Sequence, residues 1–284
     1  MIKFTCEVGS NHNGDIERAR AFIACAKDAG FDAVKFQALP ETPSGLWRDG
    51  RDVPWAYLDL YDLQTLSWHA KEIGLEFSCS VFNIKDIQPL NCFVNSFKIG
   101  SYEILCHDMI RACAETGKPL ALSFGNCVRR EWENAIGFAN LGAYYGDLTL
   151  YHCVSDYPTK LEDCCMPKIE EINEWANYCI PVGEKGRKLG WSDHTRNPLA
   201  IFAAVGMGAT AIELHVDLDG TGAEFAHGHC WLPDECKRLI ANVREMEKCF
   251  SGGQDENCKM NRVNRCMRTD PKDYKRGLLK GEGQ

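Results

Sequence analysis

Short apolar runs rich in β-branched or aromatic residues recur along the chain. Each is followed by a stretch whose apolar positions repeat every three or four residues. The first kind predicts buried strands and the second predicts helices with one buried face. Strands are expected at 3–8, 33–37, 76–81, 96–99, 119–123, 148–153, 188–192 and 211–216, and helices at 16–29, 60–73, 84–91, 107–116, 131–140, 163–178, 198–205 and 233–250. Asp15 is placed to cap the first helix, and Gly30, Gly74 and Gly117 fall where helical patterns stop. Strands joined by helical crossovers pair in parallel. Eight such repeats in 284 residues fit a closed α/β barrel, the (β/α)8 TIM barrel. The alternative is an open doubly wound sheet, which usually carries a glycine-rich phosphate turn after its first strand; the segment from Val8 to Gly14 has glycines without that spacing. The barrel is assigned to residues 1–250. Residues 251–284 form a basic tail with Arg262, Arg265, Arg268, Lys272, Lys275 and Arg276 and no apolar period, read as a solvated strap or as a partner contact.

In a TIM barrel the residues that end strands build the active site. Here they form an unusual polar set. Glu7 ends the first strand, Lys35 and Gln37 lie on the second, and Ser78 and Ser80 lie on the third. Lys98, Ser101 and Glu103 follow from the fourth, Ser123 from the fifth, and Ser155 and Tyr157 from the sixth. Ser192 and His194 end the seventh, and Glu213 and His215 the eighth. The two histidines are 21 residues apart, one strand-helix repeat, so they are expected on neighbouring strands. Imidazole is the commonest side-chain metal ligand, and the pair reads as a candidate site for a divalent metal. Lysines with hydroxyl donors suit a phosphate or a carboxylate. Taken singly, each residue has a plainer reading: a strand lysine pairs with a carboxylate such as Glu7 or Glu213, and a strand-end histidine is a hydrogen-bonded core residue. Convergence on one face is what favours a site.

A net charge of −8 argues against broad binding to nucleic-acid phosphates, but a local lysine cluster still suits a small anion. Sixteen cysteines would suggest a disulfide framework in a small secreted chain. No Cys-x-x-Cys occurs, however, and no signal-peptide pattern opens the sequence, so most are expected to be reduced and the protein cytoplasmic. No apolar run reaches the roughly 20 residues that span a membrane.

The stretch from Cys6 through Glu7, Ser10, Asn11 and His12 to Asp15, followed by Ala33-Val34-Lys35-Phe36-Gln37, resembles the opening of the sialic acid (N-acetylneuraminate) synthases, whose relatives make legionaminate and pseudaminate. Phe97 to Glu103, Tyr151 to Thr159, Leu189 to Thr195 and Ile212 to His215 resemble the family's motifs on strands four, six, seven and eight, and the likeness covers roughly residues 4 to 235. The resemblance implies a (β/α)8 barrel that condenses phosphoenolpyruvate with an N-acetylated amino sugar and releases phosphate. It implies that His194 and His215 bind a divalent metal, Mn2+ or Mg2+. Lys35, Ser80, Lys98, Ser101 and Ser192 would hold phosphoenolpyruvate, with Ser155 standing where many relatives have Asn. Glu103 would be the acid/base, Glu7 would line the same pocket, and Tyr157 would touch the sugar.

Most family members also carry a small C-terminal domain resembling antifreeze protein, which in a homodimer closes the partner's sugar site; this chain stops about where that domain would begin. Relatives often read Gly-Pro-Asp after strand eight, where this chain has Gly222 to His229, with Glu224, His227 and His229 as possible replacements. A Schiff-base aldolase using Lys35 or Lys98 and a non-catalytic barrel that binds a sugar acid are the competing readings.

Overall fold

The computed structural model describes residues 1–39, 56–141, 147–179 and 188–250. The expected basic tail lies outside the described residues. Eight strands form one closed barrel in chain order: β1 (Lys3–Glu7), β2 (Ala33–Ala38), β3 (Glu76–Val81), β4 (Ser96–Ile99), β5 (Leu120–Ser123), β6 (Leu148–His152), β7 (Lys188–Asp193) and β8 (Ala211–His215). β8 pairs in parallel with β1, Lys3 opposite Ala211 and Glu7 opposite His215, which closes the sheet and rules out the open alternative. The helices are α1 (Ile16–Ala29), α2 (Leu60–Glu72), α3 (Ile87–Asn91), α4 (His107–Glu115), α5 (Arg129–Leu141), α6 (Lys168–Cys179), α7 (Pro198–Gly206) and α8 (Pro233–Phe250). Met1–Ile240, which holds every strand, is one compact unit.

Local chemistry sets the element ends. The Asp15 carboxylate accepts from the backbone N–H groups of Glu17 and Arg18, satisfying donors that open α1. Gly30 stops the same helix in the left-handed conformation, at φ 92°. α6 begins at Lys168 rather than near 163. Pro167 disfavours helical backbone at Met166, and Cys165 stands at φ 47°, so the segment from 161 makes only a short 3-10 turn before the helix starts.

Strand side chains alternate in direction. Phe4, Phe36, Phe77, Phe97 and Trp191 are buried among the outward-facing residues, and the rings of Phe36 and Phe77 stack at 5.5 Å. Such positions face the helices. The opposite set faces the barrel axis: Glu7, Lys35, Ser80, Lys98, Ser192 and Glu213 all lie along one cavity. Barrel interiors are usually filled by branched apolar residues. This one is filled by charge, which needs internal partners to be tolerated.

Candidate functional site

The axial cavity opens at the carboxyl ends of the strands and has a volume of about 750 Å³. Two polar clusters share it, one low in the barrel and one at its mouth.

The lower cluster is an alternating array of charge. Lys98 Nζ donates to both oxygens of Glu213, at 2.9 and 2.8 Å, and stands 4.4 Å above the ring of Tyr151. Lys35 Nζ lies 3.0 Å from Glu213 Oε1 and 3.0 Å from Glu7 Oε2. The Ser192 hydroxyl donates to Glu213 at 3.0 Å, and Gln37 donates to Glu7 at 2.7 Å. Strand register builds this arrangement: Glu7 is paired with Lys35, Gln37 with Ser80, Ser80 with Lys98 and Ser192 with Glu213. Burial opposes charge on Lys35, but Glu213 and Glu7 outweigh it and raise its pKa. Lys98 is different: burial dominates, Glu213 only partly offsets it, nearby Lys35 adds to it, and the pKa falls to about 8. Burial also opposes the Glu213 charge, and the two lysines reverse that, holding it well below the usual carboxylate range.

The upper cluster is aromatic and basic. His194 and His215 ring centres are 5.2 Å apart, as their spacing predicts for neighbouring strands. The backbone of His194 is anchored by its neighbours. The buried Asp193 carboxylate accepts from the indoles of Trp191 and Trp231, the Thr195 hydroxyl and the Arg196 N–H. His194 Nδ1 donates to the Val154 carbonyl at 2.6 Å, which directs the Nε2 lone pair away from that bond. Burial, with His215 beside it, lowers the His194 pKa to about 3, favouring the neutral ligand form. Tyr157 covers the pair, its ring 4.2 Å from that of His194. A neutral imidazole anchored through one nitrogen and offering the other is the donor that a divalent cation takes, so the residues fit the expected metal.

The remaining expected residues fall on the cavity wall with one exception. Ser101 Oγ accepts from the Gly125 N–H at 2.9 Å and contacts Cys153 Sγ at 3.1 Å. Glu103 lines the rim, where burial raises its pKa to about 6. Glu7 is committed to Lys35 and Gln37. Ser155 does not line the cavity; its Oγ is buried against Gly125 without a hydrogen-bond partner among the described residues.

Glu224 and His229, two of the replacements considered for the family's sugar contact, join the histidine pair, whereas His227 is exposed at the rim. The loop after β8 doubles back: Trp231 donates to the His215 carbonyl at 2.8 Å and accepts from Asp217 at 2.9 Å. The recurrence of three histidines within fifteen residues, His215, His227 and His229, was the sequence signal for this contribution.

The charged interior and the histidine pair are both built by the strand-end motifs, and the chain belongs to the NeuB family, whose sequence model matches residues 53–255. It is 31% identical over 87% of its length to 73% of an N,N'-diacetyllegionaminic acid synthase of Legionella pneumophila. It is also 31% identical over 76% of its length to 66% of a pseudaminic acid synthase of Helicobacter pylori. Among solved structures, the N-acetylneuraminic acid synthetase of Leptospira borgpetersenii superposes with a TM-score of 0.84 at 24% identity, covering 96% of this chain and 93% of that one. Among the described residues no helix is long and apolar enough to cross a membrane.

Proposed function

We propose that this barrel condenses phosphoenolpyruvate with the open-chain aldehyde of an N-acetylated amino sugar, N-acetylmannosamine-like, giving a sialic-acid-type nonulosonic acid and inorganic phosphate. The observation that carries the reading is the juxtaposition of two buried lysines and a histidine cluster in one cavity. Lys35 and Lys98 supply the cationic floor for the phosphate and carboxylate, and Ser80, Ser101 and Ser192 supply hydroxyl donors. Ser155, behind Gly125, is a reserve donor that reaches the ligand only if the wall shifts. Tyr157 shapes the sugar end.

A divalent cation, manganese or magnesium, held by His194 and His215 would polarise the aldehyde carbonyl. The methylene carbon of phosphoenolpyruvate forms a bond to the aldehyde carbon, whose oxygen takes up a proton. The carbon bearing phosphate becomes cationic, and the Glu7 and Glu213 carboxylates stabilise it through the surrounding field. Water adds there, with Glu103 accepting its proton. The bond from the tetrahedral carbon to the phosphate oxygen then breaks, phosphate leaves with the bonding pair, and the new hydroxyl passes its proton to it as the keto group forms.

The test is phosphate release across a panel of N-acetylated amino sugars, with and without phosphoenolpyruvate and Mn2+. Release is expected only with all three present. Calorimetric binding of phosphoenolpyruvate without turnover on any acceptor would favour the non-catalytic barrel. One observation favours the aldolase: a lysine with its pKa lowered to about 8 suits Schiff-base chemistry. Borohydride trapping with pyruvate separates the two, since the synthase leaves no adduct on Lys98 or Lys35.

A further inference from the structure

The loop from Gly222 to Trp231 places a third imidazole against the histidine pair. His229 is 3% exposed, and its ring centre lies 4.7 Å from that of His215 and 6.2 Å from that of His194. Rings bound to one cation through nitrogens at about 2.1 Å have centres spaced about 4.5 to 6.4 Å apart, from right-angle to opposed ligands. All three observed spacings fall in that span. Each ring also has one nitrogen facing a fixed partner. His194 Nδ1 meets the Val154 carbonyl, and His215 Nδ1 lies 3.0 Å from Glu224 Oε2. His229 Nε2 lies 3.5 Å from that same oxygen, while its Nδ1 is buried with no hydrogen-bond partner among the described residues. A buried imidazole nitrogen without a partner is costly unless a ligand completes it.

Glu224 is held for this role. Its Oε1 accepts from the Ser10 N–H at 2.6 Å and the Ser10 hydroxyl at 2.9 Å, and its own N–H donates to Asn11 Oδ1 at 2.8 Å. Gly9 leaves the space: a β-carbon there would stand 2.2 Å from Glu224 Oε1. A carboxylate that anchors metal-bound imidazoles is the usual outer support of a histidine site.

We propose that His229 is a third imidazole ligand of the cation, with Glu224 positioning His215 and His229 together. This rests on the two-histidine reading of the synthase and extends it. Three nitrogen donors favour first-row transition metals over magnesium, which prefers oxygen and retained water.

The experiment is calorimetry of the metal-stripped protein with Co2+ and with Mg2+, alongside His194→Gln, His215→Gln and His229→Gln. The wild type is expected to bind one Co2+ at least about 100-fold more tightly than Mg2+, and each variant to lose about 10- to 100-fold in Co2+ affinity. Loss in the first two variants with His229→Gln unchanged overturns the third ligand and leaves the two-histidine reading standing. No Co2+ binding by the wild type overturns both. Imidazole nitrogen spectra of the wild type with one equivalent of Zn2+ cover the case in which His229→Gln fails to fold. Three perturbed rings including His229 support the proposal, and a spectrum in which His229 does not respond refutes it.

Discussion

Glu213→Gln keeps the volume of a fully enclosed side chain and deletes the charge that two lysines share. Lys35 keeps Glu7 at 3.0 Å, but among the described residues Lys98 keeps only the Tyr151 ring at 4.4 Å. Removing one partner of a buried ion pair costs about 3 to 5 kcal/mol, because the other is left buried without it, either charged or forced to give up its proton. For a chain of this size that is a fall in Tm on the order of 10 °C. The pH dependence follows from Lys98. In the native wild type it titrates near 8, below its unfolded value of 10.5, and without Glu213 it falls further. Below about pH 8 the wild type therefore has the Lys98–Glu213 pair that the variant lacks. Above it the native wild type sheds the Lys98 proton too. The stability gap should narrow by about 1.4 kcal/mol between pH 7 and pH 9, the equivalent of one pK unit. Urea or thermal melts followed by circular dichroism at both pH values measure it, with Glu213→Gln/Lys98→Met as the rescue. A single variant within about 1 kcal/mol of wild type at pH 7, or a double variant no more stable than the single, would refute the account of the interior as a balanced charge array.

Glu103→Gln should lower kcat by about 100- to 10,000-fold and abolish the rise of kcat/KM with pH centred near 6, since burial places the carboxyl there and in the proposed reaction its deprotonated form accepts the proton from water; a variant that keeps that limb assigns it to another group. Gly9→Ala puts a β-carbon into the Glu224 carboxylate at a backbone φ of 55°, so it should cost about 1 to 3 kcal/mol in chemical denaturation and weaken Co2+ binding. Unchanged affinity would show that Glu224 does not need the seat beside Gly9.

The barrel was legible because its signals are local and repeat. Apolar runs, the Asp15 cap and the Gly30 stop each follow from a few consecutive residues, and β3, β4, α1 and α8 have the expected bounds. The lysine array was legible in part, since the two-residue alternation of strands assigns Lys35, Lys98 and Glu213 to one face. Glu7 and Glu213 are legible as partners for the lysines; that Glu213 serves both of them is not, because that sharing is built by barrel closure rather than by sequence neighbours. α6 starts later than the apolar pattern predicts, because the pattern continues across Pro167 and the backbone cannot. The sequence offers His229 and Glu224 as candidates without placing them. Their positions depend on a loop folding back through Trp231 and on room left by Gly9, neither of which has a period to read.

Glu213 and His215 stand two residues apart on one face of β8, the first joined to the lysines and the second to the histidines. Two strand residues span about 6.6 Å. One short piece of backbone thus acts as a ruler between the lysine floor and the histidine cluster, and no side-chain substitution alters its length. Substitutions in the loops at the mouth can reshape the cavity above it, while the distance between the lysine floor and the histidine cluster is set by the strand itself.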